Sequence, residues 1–364
     1  MSLHSIDASN RTDFDQHENI VRVKDKESGL HAIIALHNTN LGPGLGGCRM
    51  YPYASEEAAL TDAMRLSRGM TYKAAMAGLP LGGGKSVILG DPKKDKTEAL
   101  FTAMANAVNE LGGRYIIAQD SGTSVADMQS MARHTEYIAG GNTVSGSDGK
   151  EKQLDPSPAT ALGVFKGLEA AVNFRFGGQS LSGVKVAIQG LGNVGFGLAQ
   201  HLHGAGAELY VQDINSKQVR RAVDELGATE LVGDQILRHK VEVFAPCALG
   251  GVINDSSVAQ LNCQVIAGAA NNQLVRAKHG QQLAASDVLY VPDYVLNAGG
   301  IICIHHARTG VSEADSMAHV MQIGDTVMEL LQRSKFSAVR PERIADRMAE
   351  ERFRKGDDAV DAVA

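Results

Sequence analysis

Apolar and polar positions follow two different rhythms along the chain. In the first ~140 residues, HAIIAL at 31–36 is an apolar run of strand length, and the Gly-rich stretch LGPGLGGCRM at 41–50 reads as the loop after it. Ser55 is suited to cap a following helix, with Glu56 and Glu57 in the first turn, where the helix dipole favours negative charge. Leu60, Ala63, Met64, Met70 and Ala74 recur along it at helical spacing, and Gly78 and Pro80 close it. A second Gly-rich turn, LGGGKSVILG at 81–90, feeds a short strand. A helix over about 97–111 then leads to a strand, RYIIAQD at 114–120.

Residues 140–158 are rich in Gly, Ser, Asp and Pro, the composition of a linker or an active-site loop. Beyond them VKVAIQG (184–190), AELYVQD (207–213), VEVFAPC (241–247), QVIAGAA (264–270) and DVLYVP (287–292) are short apolar runs, with helical segments filling most of the gaps. That alternation predicts a parallel, doubly wound sheet. The stretch over about 335–355 is charged and helical, with no strand to pair with. A length of 364 residues fits two domains, so the fold class is two-domain α/β.

Composition narrows the function classes. The net charge is -6 and no Lys/Arg-rich patch stands out, which argues against a nucleic-acid partner. No run of about 18 apolar residues predicts a membrane span, and the polar start lacks the apolar core of a secretory signal. Cys48, Cys247, Cys263 and Cys303 are scattered with no CxxC pair, so a reducing cytoplasm is expected rather than a disulfide scaffold or a zinc ribbon. His201, His203, His305 and His306 have no Cys or acidic partner at ligand spacing, and no metal is expected. The 40 glycines cluster, and the clusters mark the candidate chemistry.

At 190–195 the chain reads GLGNVG, with Gly190, Gly192 and Gly195 in the three positions of a GxGxxG fingerprint. Alone such a match is weak, but this one follows a strand, opens a helix over about 193–203 and has Asp213 at the end of the next strand. Gly190 permits the tight turn, Gly192 admits a pyrophosphate to the backbone, and Gly195 lets helix and strand pack closely. Leu191, Asn193 and Val194 complete the loop, and helix N–H groups face the phosphates. Asp213, followed by Ile214, would accept from ribose hydroxyls and repel a 2′-phosphate, so NAD is expected over NADP. By contrast GGGKS at 82–86 only imitates a phosphate loop: Leu79 stands where that motif requires glycine, and a strand follows instead of a helix.

Lys73 and Lys85 flank the second Gly-rich turn. A lysine is ordinarily a solvated surface residue. Lys73 sits among Met70, Ala74, Ala75 and Met76, however, and Lys85 between three glycines and VIL. Two cations in a partly dry pocket depress each other's pKa, leaving one free to act as a base and the other to hold a carboxylate. Asp120 ends an apolar strand, where α/β folds place functional groups, although a turn-forming Asp is an equal alternative for that residue alone.

The segments GPGLGGCRM, MTYKAAMAGLPLGGGKSVI, AQDSGTS, DPSPATALGV, GLGNVG, APCALGG, AGAANNQL and PDYVLNAGG occur in the order found in the Glu/Leu/Phe/Val dehydrogenases. The chain resembles that family from about residue 20 to 355, most of all its leucine branch. The resemblance implies an N-terminal substrate and oligomerisation domain, residues 1–140 rejoined by a C-terminal helix at 336–364, and a Rossmann-type NAD domain over 141–335. It implies oxidative deamination of an L-amino acid: hydride leaves Cα for NAD, water attacks the imine, and the carbinolamine collapses to a 2-oxo acid and ammonia. Lys73, with the backbone at Gly46 and Asn272, would hold the substrate carboxylate. Lys85 would activate water, and Asp120 would shuttle protons to and from the amino group. Thr160 and Asn271 match positions near the nicotinamide and its ribose, and Ala245, Cys247 and Asn297 line the same cleft. For Cys247 a small buried residue is the better expectation than chemistry.

The same resemblance places Leu45, Ala118, Ile301 and Ile304 around the substrate side chain, with Met70 beside them. Leu45 stands where glutamate-specific relatives carry a lysine, and burying an unpaired carboxylate there costs several kcal/mol. A branched-chain substrate is therefore expected: leucine, with valine and isoleucine. The two isoleucines are bulkier than the valines expected in leucine-preferring relatives, which leaves a shift towards valine open. The alternatives are a relative preferring valine or phenylalanine and a catalytically silent NAD-binding regulator. Cys48 replaces the usual threonine, and Gln119 and Ser121 beside Asp120 also depart from the family pattern. The family forms homo-oligomers through its substrate domain, so an octamer or a dimer is expected.

Overall fold

Two six-stranded sheets organise the chain, one in each of two compact units. The computed structural model describes residues 1–140, 143–145 and 151–354. Unit 1 comprises Met1–Leu154, Ala307–Gly310 and the chain from Ala349 onward, and unit 2 comprises Asp155–His306 and Val311–Met348. The division thus lies later than the boundary expected near residue 140. Residues 341–348 belong to unit 2 because its own side chains hold them: Tyr294 donates to Asp346 (3.0 Å), and Gly280 leaves room for Glu342. The expected segment 336–364 runs beyond residue 354, outside the described residues.

Unit 1 contains β1 (Ser2–Ser5), β2 (Asn19–Asp25), β3 (Leu30–Asn38), β4 (Gly44–Tyr51), α1 (Glu56–Met76), β5 (Gly82–Leu89), α2 (Glu98–Asn109), β6 (Tyr115–Gln119) and α3 (Val125–Ala132). The sheet order is β1-β2-β3-β5-β4-β6, antiparallel as far as β5 and parallel from β5 through β4 to β6. Ile33, Ala35 and Val87 pack on Ala59, Leu60, Ala63 and Met64 of α1. On the other face Ile34, Cys48 and Ile88 pack with Phe101 and Met104 of α2 and Met128 of α3. Ser55 caps α1 as expected, its Oγ accepting from Ala58 N (3.1 Å).

The segments read as Gly-rich loop and turn, 41–50 and 81–90, are in fact mostly strand, β4 and β5. Their glycines serve close packing rather than turning. A Cβ on Gly46 would lie 1.7 Å from Gly84 O, and one on Gly83 would lie 2.2 Å from Thr71 N of α1. The polar start also contributes two strands, β1 and β2, which sequence reading missed. Within the stretch read as a linker, β7 (Thr143–Ser145) pairs antiparallel with β8 (Glu151–Gln153). Residues 141–142 and 146–150 of that reading lie outside the described residues.

Unit 2 begins with α4 (Ser157–Arg175), β9 (Lys185–Gln189), α5 (Asn193–Gly204), β10 (Glu208–Gln212), α6 (Ser216–Leu226), β11 (Thr229–Glu230), α7 (Gln235–Arg238) and β12 (Val243–Pro246). It continues with β13 (Val265–Ile266), α8 (Ala277–Ala285), β14 (Leu289–Tyr290), α9 (Asp293–Leu296), α10 (Gly299–Thr309), α11 (Glu313–Met321), α12 (Ile323–Ser337) and α13 (Pro341–Phe353), α10 and α13 being shared with unit 1. All the strand pairs of this sheet are parallel, in the order β11-β10-β9-β12-β13-β14. By rank that is 3-2-1-4-5-6, the Rossmann order, with its switch point between β9 and β12.

The last two strands are shorter than the runs 264–270 and 287–292. Pro246 has no N–H to continue the ladder beside β13, and the backbone at Gly268 crosses so close that a Cβ there would lie 2.3 Å from Pro246 O. The helical stretch 335–355 is broken between α12 and α13, where Ala338 takes a left-handed φ of 54° and Pro341 opens the next helix. Among the described residues no helix is long and apolar enough to cross a membrane.

Candidate active site

Lys85 lies on β5 and Asp120 just past β6, with β4 between them. The registers of β4 with both neighbours put Lys85, Gly47 and Ala118 in one row across the sheet, on the face covered by α1. The Asp120 carboxylate crosses this row to pair with the Lys85 ammonium. Only glycine at position 47 permits the crossing, because a Cβ there would sit 2.6 Å from Asp120 Cβ. Thr123 fixes the approach of Asp120: its Oγ1 accepts from Asp120 N (3.0 Å) and also lies within donating distance of Cys48 O (2.8 Å).

Lys85 is nearly dry, only 5 % exposed, while Asp120 is half-buried. Burial lowers the Lys85 pKa against the pull of Asp120, and Arg49 lowers it further. Burial works to raise the Asp120 pKa, but Lys85 and Arg49 outweigh it and hold the carboxyl below its usual range. A second cation acting on Lys85 is therefore Arg49, a residue sequence reading missed. Lys73 stands half-buried on the last turn of α1, and Met70 is half-buried one turn before it. Leu45 and Ala118 are buried on β4 and β6, and the Gly46 carbonyl accepts from Tyr115 Oη (2.8 Å).

Unit 2 presents the dinucleotide fingerprint at the switch point. Gly190 adopts φ 101°, and Gly195 packs so tightly that a Cβ would lie 2.0 Å from Gly190 O. Around a Cβ at Gly192 there is open space, and no side chain caps α5, so the first amides of that helix are unclaimed by a cap. The cradle therefore fits a pyrophosphate. Asp213 Oδ2 accepts from Leu191 N (2.5 Å) and Oδ1 from Asn215 N (2.7 Å), which ties the end of β10 to the loop. The side chain of Leu191 is fully buried, so this residue serves through its backbone, whereas Ile214 is fully exposed beside Asp213.

Asn297 donates from Nδ2 to Ala269 O (3.0 Å) and Asn271 Oδ1 (2.9 Å), while its buried Oδ1 has no hydrogen-bond partner among the described residues. That acceptor suits a carboxamide N–H. Thr160 Oγ1 donates back to Pro156 O (2.9 Å) within α4. Ala245 is wholly buried, and burial pushes the Cys247 thiol up to about 12, so it carries no thiolate near neutrality. Asn272 is exposed in a left-handed conformation, and on α10 Ile301 is buried and Ile304 half-buried. Arg49 was legible in principle: with 44–51 read as a strand, alternation puts Leu45, Gly47 and Arg49 on one face.

The comparisons with known proteins follow this division of labour. The family profile for the Glu/Leu/Phe/Val dehydrogenase dimerisation domain matches residues 17–137, and that for the Glutamate/Leucine/Phenylalanine/Valine dehydrogenase domain matches residues 209–308. Leucine dehydrogenase of Thermoactinomyces intermedius is 48% identical over 93% of this chain and 91% of its own length, and that of Geobacillus stearothermophilus is 49% identical over 93% and 90%. The crystal structure of L-tryptophan dehydrogenase from Nostoc punctiforme superposes with a TM-score of 0.83 at 41% identity, covering 93% of this chain and 96% of that one. A buried lysine–aspartate pair on one sheet, a Rossmann sheet in the other unit and these matches agree: the chain is an amino acid dehydrogenase of the Glu/Leu/Phe/Val dehydrogenase family.

Proposed function

We propose that this chain oxidatively deaminates a branched-chain L-amino acid, leucine with valine and isoleucine, to the 2-oxo acid and ammonia with NAD as acceptor. The observation that carries the reading is the buried Lys85–Asp120 pair, in a chain 46–49% identical to several leucine dehydrogenases. Lys85 in its neutral form takes a proton from the attacking water, a role its lowered pKa favours. Asp120 carries protons to and from the substrate nitrogen, and Lys73, with the backbone at Gly46 and Asn272, holds the substrate carboxylate. Leu45, Met70, Ala118, Ile301 and Ile304 are apolar and offer no cation to a side-chain carboxylate, which supports an aliphatic substrate over glutamate.

On the cofactor side the loop Gly190–Gly195 and the start of α5 would hold the pyrophosphate, Asp213 and Ile214 the adenosine, and Thr160, Asn271 and Asn297 the nicotinamide end. NAD, when bound, supplies the hydride acceptor. The Asp213 carboxylate favours NAD over NADP by repelling a 2′-phosphate. The match of residues 17–137 to a dimerisation domain supports a homo-oligomer, and four free cysteines support a reducing cytoplasm.

The test is NADH formation, followed by absorbance, with a panel of L-amino acids at alkaline pH. Turnover is expected with leucine, valine and isoleucine but not with glutamate or phenylalanine. Silence with every substrate overturns the reading in favour of an NAD-binding regulator.

A further inference from the structure

Arg49 lies on the same face of β4 as Gly47, two residues along, and the β4–β6 register carries it to the level of Asp120. Its Nε is 3.3 Å from Asp120 Oδ2, and its Nη1 donates to Asp62 Oδ2 on α1 (2.9 Å). Tyr53 donates to that same Asp62 oxygen (2.5 Å). Burial and then Asp62 raise the Tyr53 phenol, so it stays a donor. Against burial, Asp120 and Asp62 hold the guanidinium above its already high pKa, so Arg49 is a permanent charge. The buried Nε makes no aligned hydrogen bond among the described residues. That donor is therefore available to tighten on Asp120 when Lys85 loses its proton.

We infer that Arg49 is a positioning residue of the amino-acid site: anchored by Asp62 and Tyr53, it holds Asp120 against Lys85 and keeps the carboxylate ionised while Lys85 gives up and regains its proton. The inference rests on the roles proposed above for Lys85 and Asp120. Physically, a carboxylate whose only cation is the base itself would lose its counter-ion each time that base became neutral, and in a dry site it would then take up the proton. A fixed second cation removes that outcome. The other titratable groups bearing on the pair are Cys48 of β4 and Tyr115 of β6, both fully buried and both pushed upward by burial, and so neutral across the working range. Asp62 and Tyr53 act through Arg49, Asp127 of α3 acts on Cys48, and α1 also carries Lys73.

The experiment is the pH profile of kcat for leucine in Arg49→Gln, Arg49→Lys and Tyr53→Phe. Removing the charge raises both titrations, since it takes away repulsion from the Lys85 proton and stabilisation from the Asp120 carboxylate. In Arg49→Gln the acid limb is expected to move up by about one pH unit or more. Turnover should fall at least tenfold near neutrality and recover in part at high pH. Arg49→Lys keeps the charge and should leave the limb near its original place. Tyr53→Phe loosens only the anchor, should give a smaller shift of the same sign, and decides the matter if Arg49→Gln does not fold. A limb that stays put in Arg49→Gln and Tyr53→Phe overturns the role of Arg49. Lys85→Ala separates the two ideas: if it is inactive while the limb stays put, Arg49 alone is misassigned, and if it keeps full turnover the underlying reading of the pair falls.

Discussion

Asp120 reaches Lys85 over Gly47: one sits on β5 and the other just past β6, and β4 between them offers no side chain at the crossing point. This arrangement holds a buried ammonium on a strand against a half-buried carboxylate in the turn that Thr123 fixes. It also makes the contact depend on a position, Gly47, that carries no functional group.

Gly47→Ala would place a methyl 2.6 Å from Asp120 Cβ and 2.9 Å from Gln119 O. The carboxylate must then swing away from Lys85. Misplacement on this scale costs on the order of 100-fold in rate, so kcat should fall by about that factor while the circular dichroism spectrum stays native. Wild-type turnover in this variant would show that contact between the two side chains is dispensable.

Lys85→Ala removes the proposed base. Turnover should fall by roughly 100- to 10,000-fold, the usual worth of a positioned general base, while NADH binding, read by fluorescence, stays nearly intact because the dinucleotide loop belongs to unit 2. For the intact protein, kcat should rise with pH through an acid limb below the ordinary lysine range, since the proposed role needs Lys85 as the neutral amine and burial lowers its pKa. Parallel loss of NADH binding in Lys85→Ala would argue for structural damage instead.

Asp213→Ala should weaken the preference for NAD over NADP by at least about tenfold, in line with loss of one charged contact to the ribose. Because Asp213 also accepts from Leu191 N and Asn215 N, the variant should be less stable as well, by about 1–3 kcal/mol for two amides left open. An unchanged ratio of kcat/KM for the two cofactors would remove Asp213 from the ribose site.

His37 is buried between His17, Tyr72 and Phe353, with Nδ1 2.9 Å from Thr71 Oγ1. Burial, helped by His17, lowers its pKa to about 4. Between pH 4 and 6.5 the unfolded chain binds a proton there and the folded one does not, so stability is complete above 6.5 and falls as pH drops towards 4. The loss is on the order of 3 kcal/mol at its limit. The melting temperature should therefore drop between pH 7 and 4.5, and the drop should narrow in His37→Gln. His17, whose pKa is also lowered by burial, keeps part of it.

Arg352 donates from Nη1 to the carbonyls of Ala75 (2.9 Å) and Met76 (2.9 Å), closing the C-terminus of α1, while Tyr72 donates to Glu350 (2.7 Å) and Asn40 to Phe353 O (3.1 Å). Arg352→Ala should destabilise unit 1 by about 1.5–3 kcal/mol, the range for a charge-assisted bond to buried acceptors, seen as a lower denaturation midpoint at unchanged slope. No change in midpoint would mean that water replaces the guanidinium without cost.

The second half of the chain was the more readable. Its central strands β9, β12 and β13 are buried on both faces and appear as apolar runs, and GLGNVG with Asp213 states the switch point almost directly. In the first half the strands that bear the candidate site, β4 and β5, hold six glycines between them, and glycine signals a turn unless the neighbouring backbone is known. That is why 41–50 read as a loop and the glycines of 81–90 as a turn before a strand, and why Arg49 went unnoticed beside Lys85. Asp120 itself was found from its place at a strand end, but its partner across the sheet depends on a strand order that no local pattern encodes. The same limit applies to α13, whose return to α1 depends on contacts 277 residues apart in the chain.

That long return has a consequence during synthesis. The helix that bears Lys73 is among the first to leave the ribosome, yet the guanidinium that seals its last carbonyls emerges nearly 280 residues later. Until then His37 and Tyr72 lack the aromatic lid of Phe353. A helix made early is thus fastened late, and a polypeptide stopped before Arg352 would already carry Lys85 and Asp120 and still leave α1 unfastened.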